Sequence, residues 1–557
     1  MRCADGVRLA SRIWRPAEAG RWPVLLMRQP YGSALASTIT YAHPRWYAER
    51  GFVVVVQDVR GRGDSEGVFR GFGQEAADGA DAVRWARGLP ESNGRLGTYG
   101  FSYQGLSQLL NAAEEPDGLP DCLAPAMCGL DERLDWASEG GAHWWALSLA
   151  WALQLAAQGA RRRGDGQAWG DLRRCLEAGS FASEGLALLE RHDPEGMGLG
   201  WLRSNPLDPR EWTVHAVSPE LLRRPLLLIG GWLDPHLRGV LRLWEQAMAV
   251  GGRPALQVGA WSHLNWTGGI DQEQLAFFQR HLLAGSSGGG DRAEPAATTP
   301  ARPTAAGEIW LQDLTSAEWF AHPPAPAAKA HWRLASDGRA AVRRDEGRLL
   351  AEGERRGKGE GLDDGVEGAA GSVALVHDPW RPVPGLGGHL GGEAALLDRQ
   401  ELDGRTDVAC FSTEPLAQPL RLLGRPALRL AVAADQPGFD LCAALSAVSA
   451  DDGGARQLST GVCRVVGPGA LDRSERQVHL QPLAATLRAG ERLRLSLAPA
   501  AWPQIAVNAG DGQLPRGGVS AHHREITLTL ELEGALLSIE PLLGGPIDGR
   551  VGSVAAN

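Results

Sequence analysis

In the first half of the chain the apolar runs are short, and most are apolar on both faces. Val24–Met27 is one and Phe52–Val56 (FVVVV) is a stronger one; Thr98 and Tyr99 end a third, Leu226–Ile229 make a fourth and Leu256–Val258 belong to a fifth. Strands of this kind, separated by helical periods, predict a mostly parallel sheet covered by helices on both sides. From about Leu130 to Ser218 the character changes. The stretch WASEGGAHWWALSLAWALQLAAQGARRR, Trp136 to Arg163, is rich in Ala, Leu and Trp and predicts helix. It interrupts the strand series, which then resumes, so an all-helical insertion inside an α/β domain is expected.

Ala284 to Glu308 is rich in Gly, Ala, Pro, Ser and Thr and reads as a linker. Beyond it the period switches to two, cleanly in ERLRLSL (Glu491–Leu497) and EITLTLELE (Glu525–Glu533), with Gly/Pro turns between short strands. That pattern predicts a β-sandwich or jelly roll. The polar, Gly-rich tract from Asp345 to Gly365 reads as a mobile loop. The expected division is an α/β domain at 1–129 and 219–285, a helical insertion at 130–218, a linker at 286–307 and a β-sandwich at 308–557.

At 557 residues the chain is too long for one ordinary core, in keeping with this division. A formal net charge of −10 argues against a nucleic-acid partner, whose phosphates demand basic patches. The run Arg161–Arg163 reads as a solvated helix end. The seven cysteines are scattered without a C-x-x-C pair, which gives no support to a zinc or redox site. The opening MRCADGVRLASRIWRP has no apolar h-region, and nowhere do eighteen apolar residues run uninterrupted. A cytoplasmic enzyme without membrane or metal is expected.

Three loops carry the candidate chemistry. In RLGTYGFSYQGLSQLL a short strand runs into Gly100-Phe101-Ser102-Tyr103-Gln104-Gly105 and a helix follows, which is the setting of a nucleophile elbow. The second glycine lies one place later than in G-x-S-x-G, and a serine opening a helix is also an ordinary cap. PLLLIGG leads into Trp232-Leu233-Asp234, and ALQVG into Ala260-Trp261-Ser262-His263. Each lies just past a strand's carboxyl end, where open α/β sheets place their ligands. Alone, Asp234 reads equally as a helix cap and His263 as a structural histidine. In the order Ser, acid, His they read as a catalytic triad.

These blocks resemble the CocE/NonD hydrolase family, which groups cocaine-esterase-like enzymes with X-Pro dipeptidyl-peptidases. DGVRLASRIWRP, VVVVQDVRGRGDSEG, the G-x-S-Y-x-G elbow at Gly100–Gly105, GGWLD and GAWSH match it in order. So do VHDPWRPVPGLGG, FSTEPLAQPLRLLG and RLRLSLAPAAWPQIAVN beyond the linker. The resemblance implies an α/β-hydrolase domain with a helical cap, followed by a C-terminal jelly roll of galactose-binding-like type. It also implies an oxyanion hole made by the Tyr103 backbone N–H and the hydroxyl of Tyr31 in MRQPYGS; without it, Tyr31 reads as a turn residue after Pro30.

By the same resemblance the insertion covers the site. Trp136, Trp144 and Trp145 of the insertion and Trp232 of the acid loop are then candidate substrate-binding residues, although tryptophan at such spacing usually packs. Gly61 to Gly67, with its Arg-Gly-Asp, lacks dinucleotide spacing and reads as a structured loop near the site. The expected reaction is hydrolysis of a carboxylic ester or amide through an acyl-enzyme, needing no cofactor or metal. An X-Pro dipeptidyl-peptidase is the alternative, with Glu132, Asp135 and Glu139 as a candidate ammonium-binding subsite. Related amino-acid ester hydrolases carry two acidic residues where this chain has His236 and Leu237, which counts against that branch. A reading of another class is a catalytically silent protein that binds through its jelly roll.

Overall fold

The structure, a computed structural model, describes residues 1–35, 41–113, 115–266, 269–283, 302, 304–322, 330–351, 371–392, 395–451 and 453–543. Most of the expected linker at 286–307, and residues 352–365 of the polar tract, lie outside the described residues.

The first sheet holds nine strands: β1 (Ser11–Trp14), β2 (Trp22–Gln29), β3 (Val53–Asp58), β4 (Ser92–Phe101), β5 (Cys122–Ala126), β6 (Leu227–Leu233), β7 (Ala255–Ser262), β8 (Ile309–Gln312) and β9 (Trp319–Ala321). Their spatial order is β1-β3-β2-β4-β5-β6-β7-β8-β9. All neighbouring pairs from β3 to β8 are parallel, and the two edge pairs, β1 with β3 and β8 with β9, are antiparallel. The FVVVV run is buried throughout, as a strand covered on both faces must be. One boundary differs from the sequence reading. Ile309–Gln312 and Trp319–Ala321 extend this sheet and do not join the second domain. A short alternating strand looks the same in either sheet, so its partner was not legible.

Between β5 and β6 the chain makes the cap. Helices Trp145–Arg163, Gly166–Ala178, Phe181–His192 and Met197–Arg203 pack around Leu149, Leu153, Leu172, Leu189 and Leu199. Gly164 ends the first helix in the left-handed region, φ 74°, and the Asp165 side chain caps the next by accepting from the Ala168 N–H. The expected helix from Trp136 is corrected at its start: Trp136 and Ala137 end a short π-helical segment, Arg133–Ala137, Ser138–Glu139 and Ala142–His143 pair as a small hairpin, and the α-helix begins at Trp145. Gly140 and Gly141, at φ 53° and 83°, make its turn. A Cβ on Gly140 would lie 1.7 Å from the Val462 carbonyl oxygen of the second domain, so only glycine fits that approach.

The second domain is a β-sandwich organised by two 15-residue strands, Leu420–Ala434 and Ile526–Glu540. They pair antiparallel through a register shift between Arg429 and Ala431. The Ile526 end pairs with Ser372–His377, whereas the Ile539 end pairs with Ala330–Ala335. Each long strand thereby serves two partners along its length, which joins the layers over one apolar core. This domain grips the first one at the acid loop. Gln481, buried between strands Ser474–His479 and Leu483–Leu487, donates to the Asp234 carbonyl at 2.8 Å. Among the described residues, no helix is long and apolar enough to cross a membrane.

Candidate active site

Ser102 stands between β4 and the helix Tyr103–Leu109 with φ 57° and ψ −127°, a backbone strain that a packed surround must hold. Its N–H donates to the Ala126 carbonyl at 3.0 Å. The displaced glycine now has a reason. A Cβ on Gly105 would lie 2.6 Å from that same Ala126 oxygen, and one on Gly100 would lie 2.4 Å from Gln104 Cβ. Both glycines are required by close approach, Gly100 to make room for Gln104 and Gly105 to let the helix lie against Ala126.

Asp234 follows β6 and is fully buried; His263 follows β7 with its side chain 23% exposed. His263 Nδ1 lies 2.5 Å from Asp234 Oδ2. The other carboxylate oxygen, Oδ1, accepts the His236 N–H at 2.9 Å. The imidazole of His263 packs against Phe101, the residue before Ser102, with ring centroids 5.4 Å apart, and against His236 at 4.9 Å. The three loops expected to carry serine, acid and histidine therefore meet at one end of the sheet.

Tyr31 follows β2. Its hydroxyl oxygen accepts from Trp151 Nε1 at 3.2 Å and also has a side-chain hydrogen-bond contact with Ser102. Burial raises its phenol pKa, so Tyr31 remains a neutral O–H donor at neutral pH. Tyr103 offers only its backbone. Its ring stacks on Phe72 at 4.6 Å and its hydroxyl lies 3.0 Å from both the Gly71 carbonyl and the Glu75 carboxylate. The Tyr103 N–H opens a helix, where no helical carbonyl can satisfy it.

The Gly61–Gly67 loop braces this arrangement. Arg62 donates to the carbonyl of Pro30, next to Tyr31, at 2.8 Å, and to the Leu155 carbonyl of the cap at 3.1 Å. With its guanidinium buried there, the Arg-Gly-Asp has no free arginine to offer an adhesion partner.

Of the tryptophans, Trp136 lies at the site: it packs on His236 at 4.6 Å and donates to the Gly129 carbonyl. Trp144 meets His236 edge-on, at 5.8 Å. Trp145 and Trp232 are corrected. Trp145 belongs to the cap core and donates to Ala182, and Trp232 is sealed against β8, donating to the Gln312 carbonyl. Both rings are buried and spend their N–H groups on backbone carbonyls, Trp232 pointing to β8 although it stands two residues before Asp234. Trp151, beside Trp136 and bonded to Tyr31, is the wall residue that spacing alone leaves as packing.

The acidic subsite also differs from expectation. Glu132 is held by His215 at 2.9 Å and Trp201 Nε1 at 2.8 Å, Asp135 is buried in an ion pair with Arg242, and Glu139 is buried 2.5 Å from His389. All three carboxylates are engaged within the protein.

Two family models match the chain: X-Pro dipeptidyl-peptidase (S15 family) over residues 5–265, and the X-Pro dipeptidyl-peptidase C-terminal non-catalytic domain over residues 281–528. The cocaine esterase of Rhodococcus sp. (strain MB1 Bresler) is 28% identical over 550 residues, covering 91% of each chain. The chain is a serine hydrolase that resembles this family over nearly its whole length. Solved structures share the two-domain fold of the hydrolase. An aminopeptidase from a marine sediment Thaumarchaeota archaeon is 18% identical with a TM-score of 0.67, covering 98% of this chain and 95% of its own. An α-amino acid ester hydrolase is 19% identical with a TM-score of 0.64, covering 97% and 95%, and a CocE/NonD family hydrolase from Staphylococcus aureus is 17% identical with a TM-score of 0.64, covering 97% and 92%.

Two buried histidines of the hydrolase give it an acid sensitivity. Burial pushes His236 down to about 3, and burial with nearby Arg464 pushes His143 down to about 4. In the unfolded chain both take up a proton near ~6.5. Between there and about pH 4 the unfolded state binds more protons, so stability is complete above that range and falls as pH falls. Each ring adds a slope approaching roughly 1.4 kcal/mol per pH unit. Urea midpoints at pH 7 and pH 5 are expected to drop on acidification, and less so in His143→Gln; an equal drop in both proteins would contradict this origin.

Proposed function

We propose that the hydrolase cleaves small carboxylic esters, with Ser102 as nucleophile, His263 as general base and then acid, and Asp234 as orienting acid. His263 takes the Ser102 proton as Oγ attacks the carbonyl carbon, and Asp234 holds the ring with its proton on Nδ1. The oxyanion receives the Tyr31 O–H and the Tyr103 N–H. Breakdown expels the alcohol with the proton from His263. A water deprotonated by the same ring then attacks the acyl-enzyme, releasing the acid and restoring Ser102. No step calls on a cofactor.

The observation that carries the ester reading over the peptidase one is the engagement of Glu132, Asp135 and Glu139, which leaves none of the three to hold a substrate ammonium. A p-nitrophenyl ester and an X-Pro-p-nitroanilide, each run with wild type and with Ser102→Ala as the blank, test it. Ester turnover without anilide cleavage is expected. Anilide cleavage at a comparable rate would move the enzyme to the dipeptidyl-peptidases, and silence on both would favour a binding role for the jelly roll.

Tyr31→Phe removes one oxyanion donor while keeping the ring in place. It is expected to lower kcat about 100- to 1,000-fold, some ~3–4 kcal/mol of transition-state stabilisation, with little change in KM. A rise in KM with kcat intact would instead make Tyr31 a binding residue. All seven cysteines are free thiols, which supports a reducing, cytoplasmic setting. The acidic net charge supports a small-molecule substrate over nucleic acid.

A further inference from the structure

Next to His263 lies a second imidazole that the two-step chemistry leaves unused. His236 Nδ1 is 2.5 Å from the Asp135 carbonyl oxygen. A carbonyl only accepts, so Nδ1 carries the ring proton. Burial keeps a second proton off the ring at neutral pH, so Nε2 is left with a bare lone pair. Among the described residues Nε2 has no hydrogen-bond partner, and it is not sealed from solvent.

The ring has no freedom to turn away. Trp136 covers one side, Trp144 meets it edge-on, and its backbone N–H is tied to Asp234. Asp135, which fixes the tautomer, is itself fixed, accepting the Asp131 N–H at 3.0 Å and pairing with Arg242. A run of aromatic rings therefore leads from Tyr31 through Trp151 and Trp136 to His236 and ends at His263. The leaving group takes its proton from the part-exposed His263, which leaves the buried rings as the wall that an acyl group on Ser102 would meet. Within it, His236 Nε2 supplies an uncharged acceptor beside the apolar ring of Trp136.

Resting on the ester-hydrolase reading, we propose that His236 Nε2 selects acyl groups that carry a neutral N–H or O–H donor near the reacting carbonyl, such as acylamino or hydroxy acids. A plain hydrocarbon chain would leave that acceptor unpaired once water is expelled, and sites built to hydrogen-bond a substrate group reject analogues that lack it. An ammonium is disfavoured, because the imidazole is neutral and the nearby carboxylates are engaged.

Matched p-nitrophenyl esters test this. N-acetylglycinate and 4-oxopentanoate differ by N–H against CH2, and 2-hydroxypropanoate and 2-methylpropanoate by O–H against CH3. Comparing the kcat/KM ratio within each pair between proteins cancels the intrinsic reactivity of the esters. The donor preference of wild type is expected to fall about tenfold in His236→Phe in at least one pair. His236→Gln, which brings an amide oxygen near the place of Nε2, should restore part of it. A merely structural role would slow both members of a pair alike. Ratios within twofold of wild type in both pairs, with the esters still hydrolysed, would overturn the proposal while leaving the hydrolase intact. Should the phenylalanine variant lose all turnover, His236→Asn carries the same comparison, since it keeps a donor for Asp135 but no acceptor that reaches as far. If wild type itself hydrolyses none of the four esters and a fluorophosphonate leaves Ser102 unlabelled, the ester-hydrolase reading fails and this inference falls with it.

Discussion

Alanine at Ser102 is expected to lower kcat for ester hydrolysis by about 10⁶-fold, alanine at His263 by a similar factor, and the double variant by no more than either alone. The non-additivity follows from the shared proton. Without His263 the Ser102 hydroxyl is a poor nucleophile at neutral pH, and without Ser102 the base has nothing to activate. The residual rate comes from substrate binding and the oxyanion donors, which neither change touches. Ser102→Ala keeps a Cβ in the same strained backbone position, so circular dichroism should show an unaltered fold. Steady-state kinetics of the three variants decide the matter. Effects that multiply in the double variant would mean that the two side chains act independently and are not one unit.

Asp234→Asn is expected to cost about ten-thousand-fold in kcat with little effect on KM. The hydrogen bonds around the carboxylate give the reason. Oδ1 accepts the His236 N–H, so an asparagine is oriented with its oxygen there and its NH2 toward His263. The His263 ring would then have to accept at Nδ1 and carry its proton on Nε2, the tautomer that cannot take a proton from Ser102. Single-turnover kinetics with a p-nitrophenyl ester would place the loss in acylation. A variant retaining more than a tenth of wild-type kcat would show that Asp234 does not set the tautomer.

Much of this arrangement is written locally. Runs apolar on both faces mark the buried strands, and the loops bearing Ser102, Asp234 and His263 each follow a run whose strand assignment depends on a few neighbouring residues. What the sequence leaves open is set by long-range packing. Gly140–Gly141 sits inside a helical composition, and only the Val462 carbonyl of the other domain explains why the chain turns there. Ile309–Gln312 has the alternation of a sandwich strand but finds its partner at the free edge of β7. Trp136 and Trp145 are alike in a linear reading; which of them meets the site depends on how the cap packs, and Trp232 is turned away by its bond to the Gln312 carbonyl. The tautomer of His236 depends on a carbonyl 101 residues away.

The account turns on Ser102 being the residue that carries the acyl group, and covalent labelling tests this most directly. The intact protein would be treated with a fluorophosphonate, digested, and the label mapped by tandem mass spectrometry alongside the loss of ester turnover. One label on the peptide containing Ser102, gained as activity is lost and absent from Ser102→Ala, is the expected result. Ester turnover that survives with Ser102 unlabelled, or that disappears with the label on another residue, would contradict it.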